Sequence, residues 1–69
     1  MSRKLSTIGK NIRRYRKKTG LSQDKLSKIA GVAYNTIVKI ESGENKNPTL
    51  ETLQRIVKAL GVSIEDLLK

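Results

Sequence analysis

The sequence lacks several residue types on which small proteins often depend. Its 69 residues contain no cysteine, no histidine, no tryptophan and no phenylalanine. The absence of cysteine excludes disulfides and thiol chemistry, and without histidine the usual structural zinc sites are excluded as well. We therefore expect no cofactor and no metal site, and a single small core that is held together by packing alone.

Long apolar runs are also missing, because no uninterrupted run is longer than three residues. A membrane-spanning helix needs about 20 predominantly apolar residues, and the N-terminus lacks the apolar stretch of a secretion signal. We expect a cytoplasmic chain with no membrane partner. We do not expect an enzyme. The six acidic residues do not have the spacing of a catalytic carboxylate pair, and the sequence contains no histidine or cysteine that could act with them.

Positive charge is abundant and unevenly distributed. The 15 lysines and arginines outnumber the 6 acidic residues and give a net charge of +9. Residues 1–34 contain ten basic residues and one acidic residue, whereas residues 35–69 contain five of each. This asymmetry favours a polyanionic partner over a merely solvated basic face. Composition leaves open whether the polyanion is DNA, RNA or lipid.

Apolar residues that recur at intervals of three and four predict five helices. The first helix runs from Leu5 to about Thr19, after a basic flexible arm formed by residues 1–4, and its apolar stripe comprises Leu5, Ile8, Ile12 and Tyr15. No stretch alternates for long enough to form a strand. We predict an all-α domain that spans residues 5–69.

Cap residues and glycines mark the limits of the second and third helices. Ser22 precedes the second helix, which ends at Gly31 and has an apolar stripe of Leu26, Ile29 and Ala30. Val32 begins the third helix and Gly43 ends it, with Ile37 and Ile40 directed inward and Ala33 and Glu41 beside them.

Similar signals define the last two helices. Thr49 is expected to cap a fourth helix that ends at Gly61 and carries the apolar stripe Leu50, Leu53, Ile56, Val57 and Leu60. Ser63 and Asp66 have the spacing of a short capping box and open a fifth helix.

The second and third helices have the spacing of a helix-turn-helix unit. Ser27 is small enough to let the two helices approach, and Gly31 can adopt the left-handed turn between them. The third helix then leaves one outward side, formed by Tyr34, Asn35, Val38, Lys39 and Ser42. An ordinary helical corner is the alternative interpretation.

Four segments make the chain resemble the DNA-binding domain of the Cro/CI (XRE) type phage repressors and their bacterial relatives: LSQ, IESG, NPTLETL and KALGVS. The resemblance extends from Leu5 to Leu68. It implies a compact five-helix bundle of the lambda-repressor-like type that binds double-stranded DNA, usually as a homodimer on a palindromic operator. The choice of DNA among the possible polyanions comes from this resemblance.

The resemblance also assigns contacts to individual residues. Tyr34, Asn35 and Lys39 match base-reading positions, and Val38 lies on the same sector. Asn suits adenine and Lys suits guanine, whereas Tyr34 and Val38 could pack against thymine methyl groups, or Tyr34 could instead reach a phosphate. The residues expected to bind DNA phosphates are Gln23, Thr36, Ser42, Asn45, Lys46 and Asn47. Nonspecific attraction would come from Arg3, Lys4, Arg13, Arg14, Lys17 and Lys18.

Two further expectations concern stability and assembly. Arg16 and Glu41 match positions that pair in related repressors, where they brace the recognition helix. The dimer interface is expected to involve Ile64, Leu67 and Leu68, unless these residues complete the core.

The sequence departs from the repressor pattern at two positions. Ala33 stands where relatives often have a capping Ser or Thr, and Tyr34 replaces a common Gln. Operator preferences therefore do not carry over to this chain. Repression would act through occupancy of the operator, because no small-molecule site is evident. The rival function is a protein-interaction module, such as an antitoxin that binds a partner toxin.

Overall fold

Five helices form the part of the chain that the computed structural model describes, which is residues 3–69 for the backbone and residues 7–69 for side chains. Their bounds are α1 Arg3–Lys18, α2 Gln23–Ala30, α3 Tyr34–Ser42, α4 Leu50–Leu60 and α5 Ile64–Leu68. No strand occurs within this range. The predicted all-α class is confirmed.

Local signals placed most of the helix ends correctly. The hydroxyl of Ser22 accepts a hydrogen bond from the Lys25 N–H at 3.0 Å, and α2 ends at Gly31 in the left-handed conformation with φ of 70°. Thr49 caps α4, as predicted. The capping box of α5 is also present, and hydrogen bonds from the backbone and side chain of Ser63 lower the pKa of Asp66.

Two predicted helix starts were wrong. The helix α1 begins at Arg3, so that Arg3 and Lys4 extend it and do not belong to an arm; Met1 and Ser2 lie outside the described residues. The helix α3 begins at Tyr34, because Val32 is held in the preceding turn by a hydrogen bond from its N–H to the carbonyl of Ser27 at 3.0 Å.

The core is formed by one side chain or more from every helix. Among residues 7–69, the largest fully buried side chains are Ile12, Leu26, Ile37, Ile40, Ile56 and Leu67. Leu67 was expected at a dimer interface, and the structure corrects this expectation: its side chain completes the core of the single chain and leaves no surface for a partner.

Two other burial predictions were wrong. Ile29 precedes the buried Ala30 by one residue, which turns it about 100° away from the core side of α2, and it is 55% exposed. Leu50 lies in the first turn of α4, at the margin of its stripe, and is also exposed. Ala33, which was expected beside the inward residues, precedes α3, is exposed and makes no side-chain cap hydrogen bond.

Two residues that sequence reasoning did not single out fix the position of α1. Gly9 lies against α3 so closely that a side chain at this position would overlap the backbone carbonyl of Ile40. The buried amide of Asn11 donates from Nδ2 to the carbonyl oxygen of Leu67 at 2.8 Å. Burying the Leu67 carbonyl without a hydrogen-bond donor would be costly. The amide of Asn11 supplies this donor and thereby joins the end of α5 to α1.

We predict that Gly9→Ala destabilises the domain. Alanine favours a helix interior over glycine by about 1 kcal/mol, but the new methyl group would force α1 away from the carbonyl of Ile40 at an expected net cost of ~1–3 kcal/mol. Urea unfolding measures the difference. Lys10→Ala, at the exposed neighbouring position, is the control and should stay within about 0.5 kcal/mol of the parent. Equal or greater stability of Gly9→Ala would contradict the close contact.

Candidate nucleic-acid interface

The surface of interest is the outward side of α3. Ile37 and Ile40 anchor the helix in the core, and the helical period therefore turns the intervening residues outward. Tyr34 is 48% exposed, Asn35 and Lys39 are exposed, and Val38 is half-buried. The four predicted base-reading residues thus lie on one accessible side of a rigidly held helix.

A buried ion pair joins α3 to α1. The guanidinium of Arg16 donates from Nε to Oε2 of Glu41 at 2.7 Å and from Nη2 to Oε1 at 3.0 Å. Its Nη1 donates to the carbonyl oxygen of Leu21 at 2.8 Å. The side chains of Arg16 and Glu41 are only 10% and 3% exposed. The two predicted partners therefore meet in a buried, bidentate geometry, which is the strong form of such a pair.

Gln23 joins this pair from the first turn of α2. Its Nε2 donates to Oε1 of Glu41 at 3.0 Å, so that Glu41 connects α1, α2 and α3. The same half-buried amide was predicted to bind a phosphate. Its contact with Glu41 uses one of the two hydrogens on Nε2 and leaves the other available for that role.

A cleft opens between α1 and α3 at the same place, and we call it the α1–α3 cleft. Its volume is about 340 Å³, and it is lined by Arg13, Arg16, Gln23, Val38, Glu41 and Ser42. Arg13 was expected only among the nonspecific basic residues of the first helix. Its position beside Val38 could not be recognised from the sequence, because it depends on how α1 and α3 pack.

The loop after α3 is ordered by its own polar groups. The N–H of Asn45 donates to the carbonyl of Lys39 at 2.9 Å, and Oδ1 of Asn45 accepts from the N–H of Asn47 at 3.0 Å. The hydroxyl of Ser42 donates to the carbonyl of Lys39 at 3.1 Å. Lys46 and the side chain of Asn47 remain exposed. Thr36, the remaining predicted phosphate ligand, is half-buried on α3.

The electrostatics differ between α1 and the other helices. In residues 7–69, salt bridges join Lys28 to Asp24, Arg55 to Glu51 and Lys69 to Asp66. Over the same residues, no salt bridge involves the five exposed basic residues of α1, which are Lys10, Arg13, Arg14, Lys17 and Lys18. Exposed basic residues without a salt bridge are therefore most numerous on α1, where Arg13 lines the cleft; the others among residues 7–69 are Lys25, Lys39, Lys46 and Lys58.

The family model HTH_3, which describes a helix-turn-helix, matches residues 12–67. The chain belongs to this helix-turn-helix family. The match includes all of α2, α3 and α4, and it confirms the resemblance to the Cro/CI (XRE) type. The outward side of α3 is therefore the surface of the second helix of a helix-turn-helix.

Individual relatives agree with the family assignment. The chain is 38% identical over 61 residues to the HTH-type transcriptional regulator SinR of Bacillus subtilis. The aligned residues cover 88% of this chain and 55% of SinR. This chain thus spans about half the length of that regulator. It is similar to the crystal structure of SinR in complex with DNA, with a TM-score of 0.87, 37% identity and coverage of 90% of this chain and 98% of that one.

A second solved structure is the restriction-modification controller protein C.AhdI from Aeromonas hydrophila. It has a TM-score of 0.85 and 27% identity, and the likeness covers 91% of this chain and 94% of that one. The names of these relatives describe regulators. In residues 3–69, no helix is long and apolar enough to span a membrane.

We predict that Glu41→Gln destabilises the domain by about 3 kcal/mol, because it leaves the buried charge of Arg16 without a counter-charge. Chemical unfolding at neutral pH measures the loss. Asp24→Asn breaks the exposed pair with Lys28 and serves as the matched control, with an expected effect of ~0–1 kcal/mol. If both variants lost the same small amount, the pair would not brace α3.

Proposed function

We propose that the chain is a sequence-specific regulator of transcription that inserts α3 into the major groove of double-stranded DNA. The observation that carries this proposal is the likeness to SinR in complex with DNA, over 90% of the chain. The exposed residues of α3 supply the required chemistry, since a helix fits the major groove and its side chains can reach base edges there.

Each outward residue has a chemical role in this proposal. Asn35 can bond bidentately with adenine, and Lys39 can donate to O6 or N7 of guanine. Tyr34 and Val38 provide apolar surface for thymine methyl groups. Gln23, Thr36, Ser42 and the loop residues Asn45, Lys46 and Asn47 would contact phosphates and set the orientation of the domain on the duplex.

We predict that Asn35→Ala and Lys39→Ala each reduce the preference for operator over random DNA by ~1–3 kcal/mol. Binding sites are first selected from random duplexes, and affinities are then measured on the selected site and on a scrambled one. Asn47→Ala and Lys46→Ala remove the same side-chain types from the loop and are the controls. They should weaken binding to both DNAs equally. An equal loss on both DNAs for Asn35→Ala would contradict base reading.

We further infer that the chain acts as a homodimer and represses by occupying a palindromic operator. One recognition helix reads only a few base pairs, whereas two helices related by a two-fold axis read half-sites about one helical turn apart. Leu68 is 60% exposed at the end of α5, and Ile64 is half-buried beside it. With Leu67 in the core, these two residues provide the apolar surface for the contact.

We predict that Leu68→Ser shifts a dimer to monomers and lowers operator affinity without unfolding the domain, because the Leu68 side chain lies outside the core. Sedimentation at micromolar concentration, with and without operator, measures the change. Ile29→Ser removes a similarly exposed side chain from α2 and should leave the assembly unchanged. A parent protein that sediments as a monomer even on operator DNA would rule out the dimer.

A further inference from the structure

We propose that the α1–α3 cleft holds one phosphate of the DNA backbone and that Arg13 is its charged ligand. This inference rests on the proposed function, because it takes the phosphate from a duplex that α3 has entered. Val38 and Ser42 of α3 line the same cleft as Arg13 of α1. A DNA strand that follows the groove beside Val38 would therefore pass over the mouth of the cleft.

The charge in the cleft favours an anion. Its ionic residues are Arg13, Arg16 and Glu41, and both carboxylate oxygens of Glu41 accept hydrogen bonds from Arg16. Glu41 is therefore neutralised by its partner and does not oppose an incoming phosphate. Among residues 7–69, Arg13 is exposed and forms no salt bridge, so its guanidinium can pair bidentately with phosphate oxygens.

Gln23 supplies a second donor with a fixed orientation. A carboxylate can only accept hydrogen bonds, so Oε1 of Glu41 must face the nitrogen of the Gln23 amide and not its oxygen. The remaining hydrogen on Nε2 is then left for a second acceptor. Arg13 and Gln23 line one cleft from two helices, which gives a phosphate two donors from different directions.

Arg14, the neighbour of Arg13 on α1, does not share this arrangement. It follows Arg13 directly and is also exposed, but it does not line the cleft. Its guanidinium lies over the ring of Tyr15 instead, at 5.3 Å from the centroid. The two arginines therefore carry the same charge on adjacent positions and differ in their access to the cleft, so that one serves as a control for the other.

The test compares R13Q with R14Q on the selected operator and on a random duplex, over a series of salt concentrations. Each phosphate contact contributes about 0.9 to the slope of log K against log salt. We expect R13Q to reduce the slope by about this amount and to weaken binding to both DNAs about tenfold. R14Q should change either quantity much less. Urea unfolding of both variants checks that these exposed substitutions leave the fold intact.

A methylphosphonate scan of the operator locates the phosphate. Neutralising the phosphate in the cleft should weaken binding of the parent protein and leave binding of R13Q almost unchanged. R14Q should lose affinity at that position as the parent does. If no backbone position distinguished R13Q from R14Q in this way, the cleft would not hold a phosphate.

The remaining outcomes separate this inference from the proposed function. Equal salt slopes for R13Q and R14Q would overturn the proposed phosphate site in the cleft but would leave the proposed DNA-binding function intact. A loss for R13Q on the operator alone would indicate a base contact and would also overturn it. If the parent protein showed no preference for the operator, the proposed function would be wrong. The comparison of R13Q with R14Q on the random duplex would still decide whether Arg13 binds a phosphate. A parent that bound no duplex would overturn both.

Discussion

The buried pair of Arg16 and Glu41 is the interaction on which the helix-turn-helix depends. It joins α1 to α3, and its links to Gln23 and to the carbonyl of Leu21 extend it to α2 and to the turn before α2. A buried charge that loses its partner is far more costly than a surface pair. One carboxylate therefore links α3 to α1 and orients the amide of Gln23, a predicted phosphate ligand.

Apolar burial and a close backbone contact also hold α3 in place. Ile37 and Ile40 are buried in the core, and Gly9 brings the backbone of α1 against the carbonyl of Ile40. The polar pair and this close contact hold α3 from the same neighbouring helix at two positions. Because α3 cannot rotate without breaking one of them, Tyr34, Asn35, Val38 and Lys39 must remain together on its outward side.

The sequence predicted those features of the fold that arise from local chemistry. The caps at Ser22 and Thr49 and the box at Ser63 each involve residues within one turn of each other, so their spacing is visible in the chain. The burial of Leu67 and the position of Arg13 in the cleft depend on how neighbouring helices pack against α5 and α1. Helical periodicity gives the direction of a side chain but does not reveal what covers it.

The distribution of charge connects the fold to recognition. Among residues 7–69, five exposed cations of α1 form no salt bridge, compared with one each on α2, α3 and α4, and Arg13 of α1 lines the cleft. An uneven distribution of positive charge attracts a polyanion and orients the protein toward it before any base is contacted. In the proposed complex, phosphate contacts would fix the register, and the base-reading side chains of α3 would discriminate sequence. Salt would therefore weaken the affinity far more than the specificity.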